Sequence, residues 1–211
     1  MGYYPIFVEL TGRPCLVIGG GAVAERKVEG LLAVGASVTV ISPTLSAGLQ
    51  ALAEEGRIRY VGREYGSGDL VGYQLVFVAT DDGAVNEAVA RDGRERGVWV
   101  NAADDPAHCD FILPSVLRRG ELVVAVATGG SGPALSRVIR EELEDYLTED
   151  YAVLAEIAAE VRRELRERGL SPDGETWRRA LDGNLRSLIA EGRREEAKAR
   201  LLWRLRAGIC G

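Results

Sequence analysis

Asp104 stands three residues after Asn101, with Asp105 beside it and Pro106 next. Adjacent carboxylates repel each other, and partial burial would raise one of them towards the pKa range useful for proton transfer. The same pair also suits a turn, because Asp readily bonds its own backbone there. Asp104 follows an expected strand end and is the better acid–base candidate; the choice between the two neighbours stays open. His108 is the single histidine of the chain. It has no cysteine or carboxylate partners at metal-ligand spacing and reads as a loop residue, so no metal site is expected.

A second chemistry lies near the start. Cys15-Leu16-Val17-Ile18 runs into Gly19-Gly20-Gly21-Ala22-Val23-Ala24. Gly19 and Gly21, with Ala24 in the third place, fit the dinucleotide fingerprint G-x-G-x-x-G/A. Gly19 permits a tight turn, Gly21 lets backbone approach a pyrophosphate, and Ala24 lets the helix begun by Ala22 and Val23 sit close to the sheet. The free N–H groups and the dipole of that helix then face the phosphates. Ligands of such sheets sit beyond the strands' carboxyl ends. Ser42-Pro43-Thr44, Thr80-Asp81-Asp82 and Asn101 fall there, so Pro43, Thr44, Thr80, Asp81 and Asn101 join the cofactor candidates. Thr80 or Asp81 also suits a helix cap. The second strand ends in neither a carboxylate for an adenosine ribose nor an Arg for a 2′-phosphate, which favours NAD over NADP.

Thr128-Gly129-Gly130-Ser131-Gly132-Pro133 is a second glycine-rich turn. It is either a turn and helix start, with Ser131 as cap and Pro133 in the first turn, or a backbone cradle for carboxylates. Arg137 and Arg140 follow on one face of that helix. No Tyr-x-x-x-Lys pair, G-x-S-x-G elbow or P-loop lysine occurs.

The elements that must position these residues emerge from the pattern. Strands are expected at residues 15–18, 37–41, 57–61, 75–79 and 98–101, alternating with helices after Gly21, over 45–55 and from Thr80 to Arg96. That rhythm predicts an α/β, Rossmann-like parallel sheet covered on both faces. Near residue 113 it changes. Strands at 111–114 and 122–127 are joined without a long helix, a helix runs to about Leu147, and the rest is helical with breaks at 169–174 and near Gly192. The expected division is a nucleotide-binding domain over 1–113, a strand–strand–helix segment over 114–150 and a helical domain over 151–211.

Composition narrows the classes. The chain has 211 residues and a net charge of −6, of which residues 151–211, with 13 Lys/Arg against 10 Asp/Glu, carry +3 and the rest −9. The basic tail is either a solvated helical surface or a wall facing an anionic ligand. An acidic chain without a recognition motif does not point to nucleic acid. No apolar run reaches membrane-spanning length and no signal peptide is evident. The three cysteines show no C-x-x-C spacing, so a cytoplasmic location is expected.

Taken together, these pieces resemble the precorrin-2 dehydrogenase and sirohydrochlorin ferrochelatase family of siroheme biosynthesis, which includes the N-terminal half of bacterial siroheme synthases. The resemblance rests on Pro5-Ile6-Phe7, the Gly19 to Lys27 run, Thr80-Asp81-Asp82 with Val85-Asn86, and Asn101-x-x-Asp104. It continues through Phe111-x-x-Pro114-Ser115, Thr128-Gly129-Gly130-x-x-Pro133 and Arg137-x-x-Arg140-Glu141. It implies NAD-dependent oxidation of precorrin-2, a polycarboxylated tetrapyrrole, to sirohydrochlorin. Some members also insert ferrous iron. It further implies a homodimer sharing the middle segment and a catalytic Asp104; Asp105 lies outside the shared pattern. Arg118, Arg119, Arg137 and Arg140, with the turn Thr128, Gly129, Gly130 and Ser131, would face the acidic substrate. Ring methylation is not expected, as no methyltransferase half is present. An NAD-sensing module without catalysis, or a dimerisation protein with a vestigial nucleotide fold, would also contain the fingerprint.

Overall fold

The structure, a computed structural model, describes residues 2–103 and 105–208. The chain divides into two compact units, one ending at Leu113 and one beginning at Pro114. The first is built on five parallel strands: β1 (Pro14–Ile18), β2 (Ser37–Ile41), β3 (Arg59–Val61), β4 (Leu75–Val78) and β5 (Trp99–Ala102). Helices α1 (Ala22–Leu32), α2 (Ala47–Glu54) and α3 (Gly83–Arg96) connect them. The sheet order is β3-β2-β1-β4-β5.

The apolar runs explain why these segments are strands with both faces covered. Alternate residues of a strand point to opposite faces. Cys15, Val17, Val38, Val40 and Phe77 enter one core, with Ala24, Val28 and Leu31 of α1. Leu16, Ile18, Val76, Val78 and Val100 enter the other, with Val89 of α3. Each fully buried aliphatic side chain contributes roughly 1.5–3 kcal/mol. Gly93 has no room for more: a Cβ there would lie 2.5 Å from Val100 Cγ2, so α3 is held close to β5.

The second unit opens with an antiparallel hairpin, β6 (Ser115–Arg119) and β7 (Leu122–Val126), reversed at Gly120 with φ +54°. This corrects the strand expected at 111–114. Phe111 instead packs edge-on to Phe77, with ring centroids 5.6 Å apart, and Pro114 cannot donate to a ladder. Helix α4 (Pro133–Tyr146) follows, then α5 (Asp150–Glu167), α6 (Gly174–Ala180), α7 (Gly183–Ala190) and α8 (Arg194–Ala207). The last four share a core of Ile157, Val161, Leu165, Leu185, Ile189, Leu201 and Leu205. The break between α6 and α7 was not expected. Its signal was Asp182 before Gly183: the carboxylate accepts from Leu185 N at 3.3 Å and caps α7. Within this unit Arg119 Nε donates to Leu147 O at 2.8 Å, joining the hairpin to the end of α4. Among the described residues, no helix is long and apolar enough to cross a membrane.

Candidate functional site

The strand order reverses between β1 and β4, and sheets of this kind take their ligands at such a reversal, outside the carboxyl ends of the strands. Three turns meet at that edge. Gly19 N donates to Ile41 O (2.9 Å), Ser46 N to Gly20 O (2.7 Å) and Ala79 N to Ile18 O (2.8 Å). Gly19 has φ +117°, and a Cβ on it would lie 2.1 Å from Ala79 O. Only glycine fits a left-handed position pressed against backbone.

Gly20 was missed by the fingerprint, which leaves its place unspecified. A Cβ there would lie 1.9 Å from Thr44 O and 2.7 Å from Ser42 Oγ. The run of three consecutive glycines was the available signal. Gly21 differs from both, since a Cβ on it would meet nothing within 4 Å. It is the N-cap of α1 and offers no side-chain cap. The first-turn N–H groups after it, at exposed Ala22 and half-buried Val23, therefore face open space at the dipole's positive end. Ala24 is fully buried against the sheet. This open, uncapped start fits a dinucleotide's pyrophosphate.

Around this cradle, Pro43 and Thr44 are exposed rim residues of the β2 end. The Ser42 hydroxyl donates to Thr44 O at 2.7 Å and Tyr60 OH to Pro43 O at 3.3 Å. Thr80 is half-buried and Asp81 exposed. Neither caps α3. Asp82 does, accepting from Ala84 N (2.9 Å) and Val85 N (3.4 Å), while Thr80 Oγ1 accepts from Asp82 N (3.1 Å). Two successive Asp residues hid the true cap from the sequence.

Asp104 lies outside the described residues. Its surroundings do not. Buried Asn101 turns its side chain onto its own loop, where Nδ2 donates to Phe111 O at 2.9 Å. Asp110 closes that loop, accepting from Val100 N through Oδ2 (2.8 Å) and donating its own N–H to Val100 O (2.8 Å). Cys109 Sγ donates to Ala102 O at 3.1 Å, and burial pushes its thiol pKa up. Asp105 and His108 flank a single 3-10 turn at Pro106–His108, with Asp105 Oδ2 2.7 Å from His108 Nδ1. Spacing alone did not reveal this pairing, which the 3-10 turn creates.

In the second unit, Thr128 closes the glycine turn: its hydroxyl donates to Gly132 O at 2.9 Å and accepts from Gly132 N at 3.2 Å. Gly129 and Gly130 have φ +63° and +83°. Ser131 is not the cap of α4, because its hydroxyl donates back to Thr128 O at 2.6 Å; the N-cap is Gly132, without a side-chain bond. This is a second helix start left uncapped after a run of glycine. Arg118 and Arg137 are exposed. Arg119 pairs with Glu149 (3.3 Å), and Arg140 with Glu141 (2.9 Å) and Glu144. Among the described residues, no cluster of three or more His, Cys, Asp and Glu could hold a metal.

The chain matches two family models in succession. Residues 6–115, just over half of the chain, match the model described as "Putative NAD(P)-binding", and residues 119–146 match "Sirohaem biosynthesis protein central". A siroheme synthase of Methylococcus capsulatus is 41% identical over 204 residues, 96% of this chain and 43% of that protein. One of Nitrosococcus oceani is 40% identical over 211 residues, 99% of this chain and 45% of that protein. The chain thus spans less than half the length of these relatives. A solved structure of "SirC, precorrin-2 dehydrogenase" superposes with a TM-score of 0.76 at 28% identity, covering 94% of this chain and 98% of that one. With the Gly19–Gly21 cradle inside the first match and the Thr128–Gly132 turn inside the second, the chain belongs to the NAD(P)-binding family that carries the sirohaem-biosynthesis central segment.

Proposed function

We propose that this chain oxidises precorrin-2 to sirohydrochlorin with NAD as hydride acceptor. The observation that carries the reading is the likeness to a precorrin-2 dehydrogenase along almost the whole of both chains. The open start of α1 supports it by offering the pyrophosphate a site. Bound there, NAD supplies the hydride-accepting carbon. The chain's own work is to hold, orient and deprotonate. Gly19 and Gly20 keep the turn flat against Ala79 and Thr44, and Gly21 with the first turn of α1 receives the phosphates. Pro43, Thr44, Thr80 and Asp81 rim the cofactor. Asp104 is the acid–base residue, assigned from the Asn101-x-x-Asp104 spacing.

In the same reading, residues 1–113 bind the cofactor, 114–150 form a homodimer and 151–211 make a helical domain. The polycarboxylated substrate is met by basic and backbone donors of the middle segment: Arg118, Arg119, Arg137 and Arg140, and the turn Thr128, Gly129, Gly130 and Ser131. Arg118 and Arg137 are the more available of the four arginines, as Arg119 and Arg140 already hold carboxylates. Ferrous iron is a second substrate if the same site also metallates sirohydrochlorin.

The test is to incubate the chain with precorrin-2 and NAD and follow formation of sirohydrochlorin and NADH by absorbance. Stoichiometric NAD binding without turnover would replace this reading with a cofactor-sensing module. A repeat with sirohydrochlorin and ferrous iron decides the metallation step.

A further inference from the structure

The loop after β5 holds a close side-chain pair outside the cofactor cradle. His108 Nδ1 and Asp105 Oδ2 are 2.7 Å apart, and each side chain is 27% exposed. The backbone sets this meeting. His108 N donates to Asp105 O at 3.1 Å, closing the 3-10 turn that brings the two side chains to one side. Cys109 Sγ donates to the same Asp105 carbonyl at 3.3 Å, and Asp110 ties the loop's far end to Val100. The pair is thus held on a pinned loop that follows β5, the edge strand of the sheet.

A carboxylate on Nδ1 fixes the neutral imidazole as the Nδ1–H tautomer and leaves the Nε2 lone pair as a proton acceptor. Imidazole is also the side chain most often used as a general base. We propose that Asp105 and His108 form a proton-accepting dyad for the tetrapyrrole: His108 Nε2 takes up a ring proton by way of Asp104, and Asp105 orients the imidazole. The proposal rests on the dehydrogenase reading. In that reaction one hydride leaves the ring with its electron pair for the nicotinamide. One proton also leaves, its electron pair staying in the ring as part of the new double bond. Asp104 lifts that proton from the ring and His108 Nε2 receives it from Asp104; the imidazolium then faces the Asp105 carboxylate until its side chain, 27% exposed, discharges the proton to solvent. Asp105 is then the positioning partner of His108, and the Asp neighbour left to act directly on the ring is Asp104.

Among the described residues, the other charged and titratable groups around the pair are Cys109 and Asp110 on the same loop, Arg94 of α3, whose Nη2 reaches Ala107 O at 3.5 Å, and Lys27 of α1, whose charge acts on Cys109. None of these replaces Asp105 on Nδ1.

Because the chain has one histidine, its ring nitrogens can be read by 15N NMR without assignment. The expected result is the Nδ1–H tautomer in the wild type and a shift towards the Nε2–H tautomer in Asp105→Ala. In the precorrin-2 and NAD assay, His108→Ala should lower kcat by roughly 100-fold, leave the NAD Kd from calorimetry unchanged, and recover with added imidazole. A wild-type Nε2–H tautomer, or a fully active His108→Ala, overturns the dyad. So does a loss of rate that imidazole does not restore in a variant that binds NAD normally. A wild type that binds NAD but leaves precorrin-2 unoxidised overturns the dehydrogenase reading itself, and the dyad's role falls with it.

Discussion

Gly21 is the residue at which cofactor binding can be tested without disturbing the fold. A side chain there meets nothing within 4 Å, so Gly21→Asp should fold normally. Its carboxylate would stand where the pyrophosphate is received, and such like-charge juxtaposition costs several kcal/mol. NAD affinity should fall by roughly 100-fold or more, and calorimetry measures it; unchanged affinity would remove the pyrophosphate from this helix start. Gly19 and Gly20 are unsuitable for that test, because any Cβ on them collides with backbone. Asp104→Asn asks a different question, since it keeps the shape and removes the proton acceptor. Its expected result is normal NAD binding with a dehydrogenase rate lower by roughly 10²–10⁴-fold. Asp105→Asn should cost less, since Asp105 acts through His108.

At the scale of the elements, the helical bundle has a charged clamp that sets its acid sensitivity. Glu160 of α5 receives Arg194 at 2.6 Å and Lys198 at 2.8 Å, both from α8. Hydrogen bonds from Arg194 first, then Lys198, bring its pKa down to about 2. A carboxylate whose folded pKa is depressed adds stability above its unfolded pKa, about 4.3, and loses it as pH falls towards the folded value. Glu160→Gln should therefore lower the bundle's Tm slightly at pH 7, and the difference from wild type should vanish as pH approaches 2. Thermal melts followed by circular dichroism at a series of pH values give the answer. A deficit that persists at the acid end would assign the effect to packing. The magnitude is small because the pair is open to solvent.

At the scale of the whole molecule, the hairpin and α4 carry exposed apolar side chains among the described residues. Val116 is 38% exposed, Leu135 55%, Val138 48% and Tyr146 63%. A two-stranded sheet is marginal alone, and its free edges invite pairing. The expected outcome is a homodimer through residues 114–150. Light scattering at micromolar concentration should give twice the chain mass of 22.7 kDa, and Val138→Asp should shift it towards monomer. A wild-type monomer under those conditions would contradict the dimer.

By itself the sequence determined the features that local pattern and steric necessity dictate. The apolar runs made buried parallel strands, because continuous Val, Ile and Leu suit a sheet covered on both sides. The spacing of Gly19, Gly21 and Ala24 predicted a turn, an open helix start and a close-packed helix, since each demand falls on one backbone position. Periodicity marked the helices of the tail, although the break at Asp182 escaped it. Tertiary structure decided the features that depend on partners distant in sequence or on one turn's geometry. Gly20 matters through Thr44, which β2 brings up from 24 positions away. Arg119 and Arg140 are committed to carboxylates by the folding of α4 and the segment after it, which charge counting does not reveal. Phe111 left its expected strand because Phe77 offered its ring a buried edge. Asp105 and His108 became a pair because a 3-10 turn places residues three apart on one side, whereas an extended loop separates them.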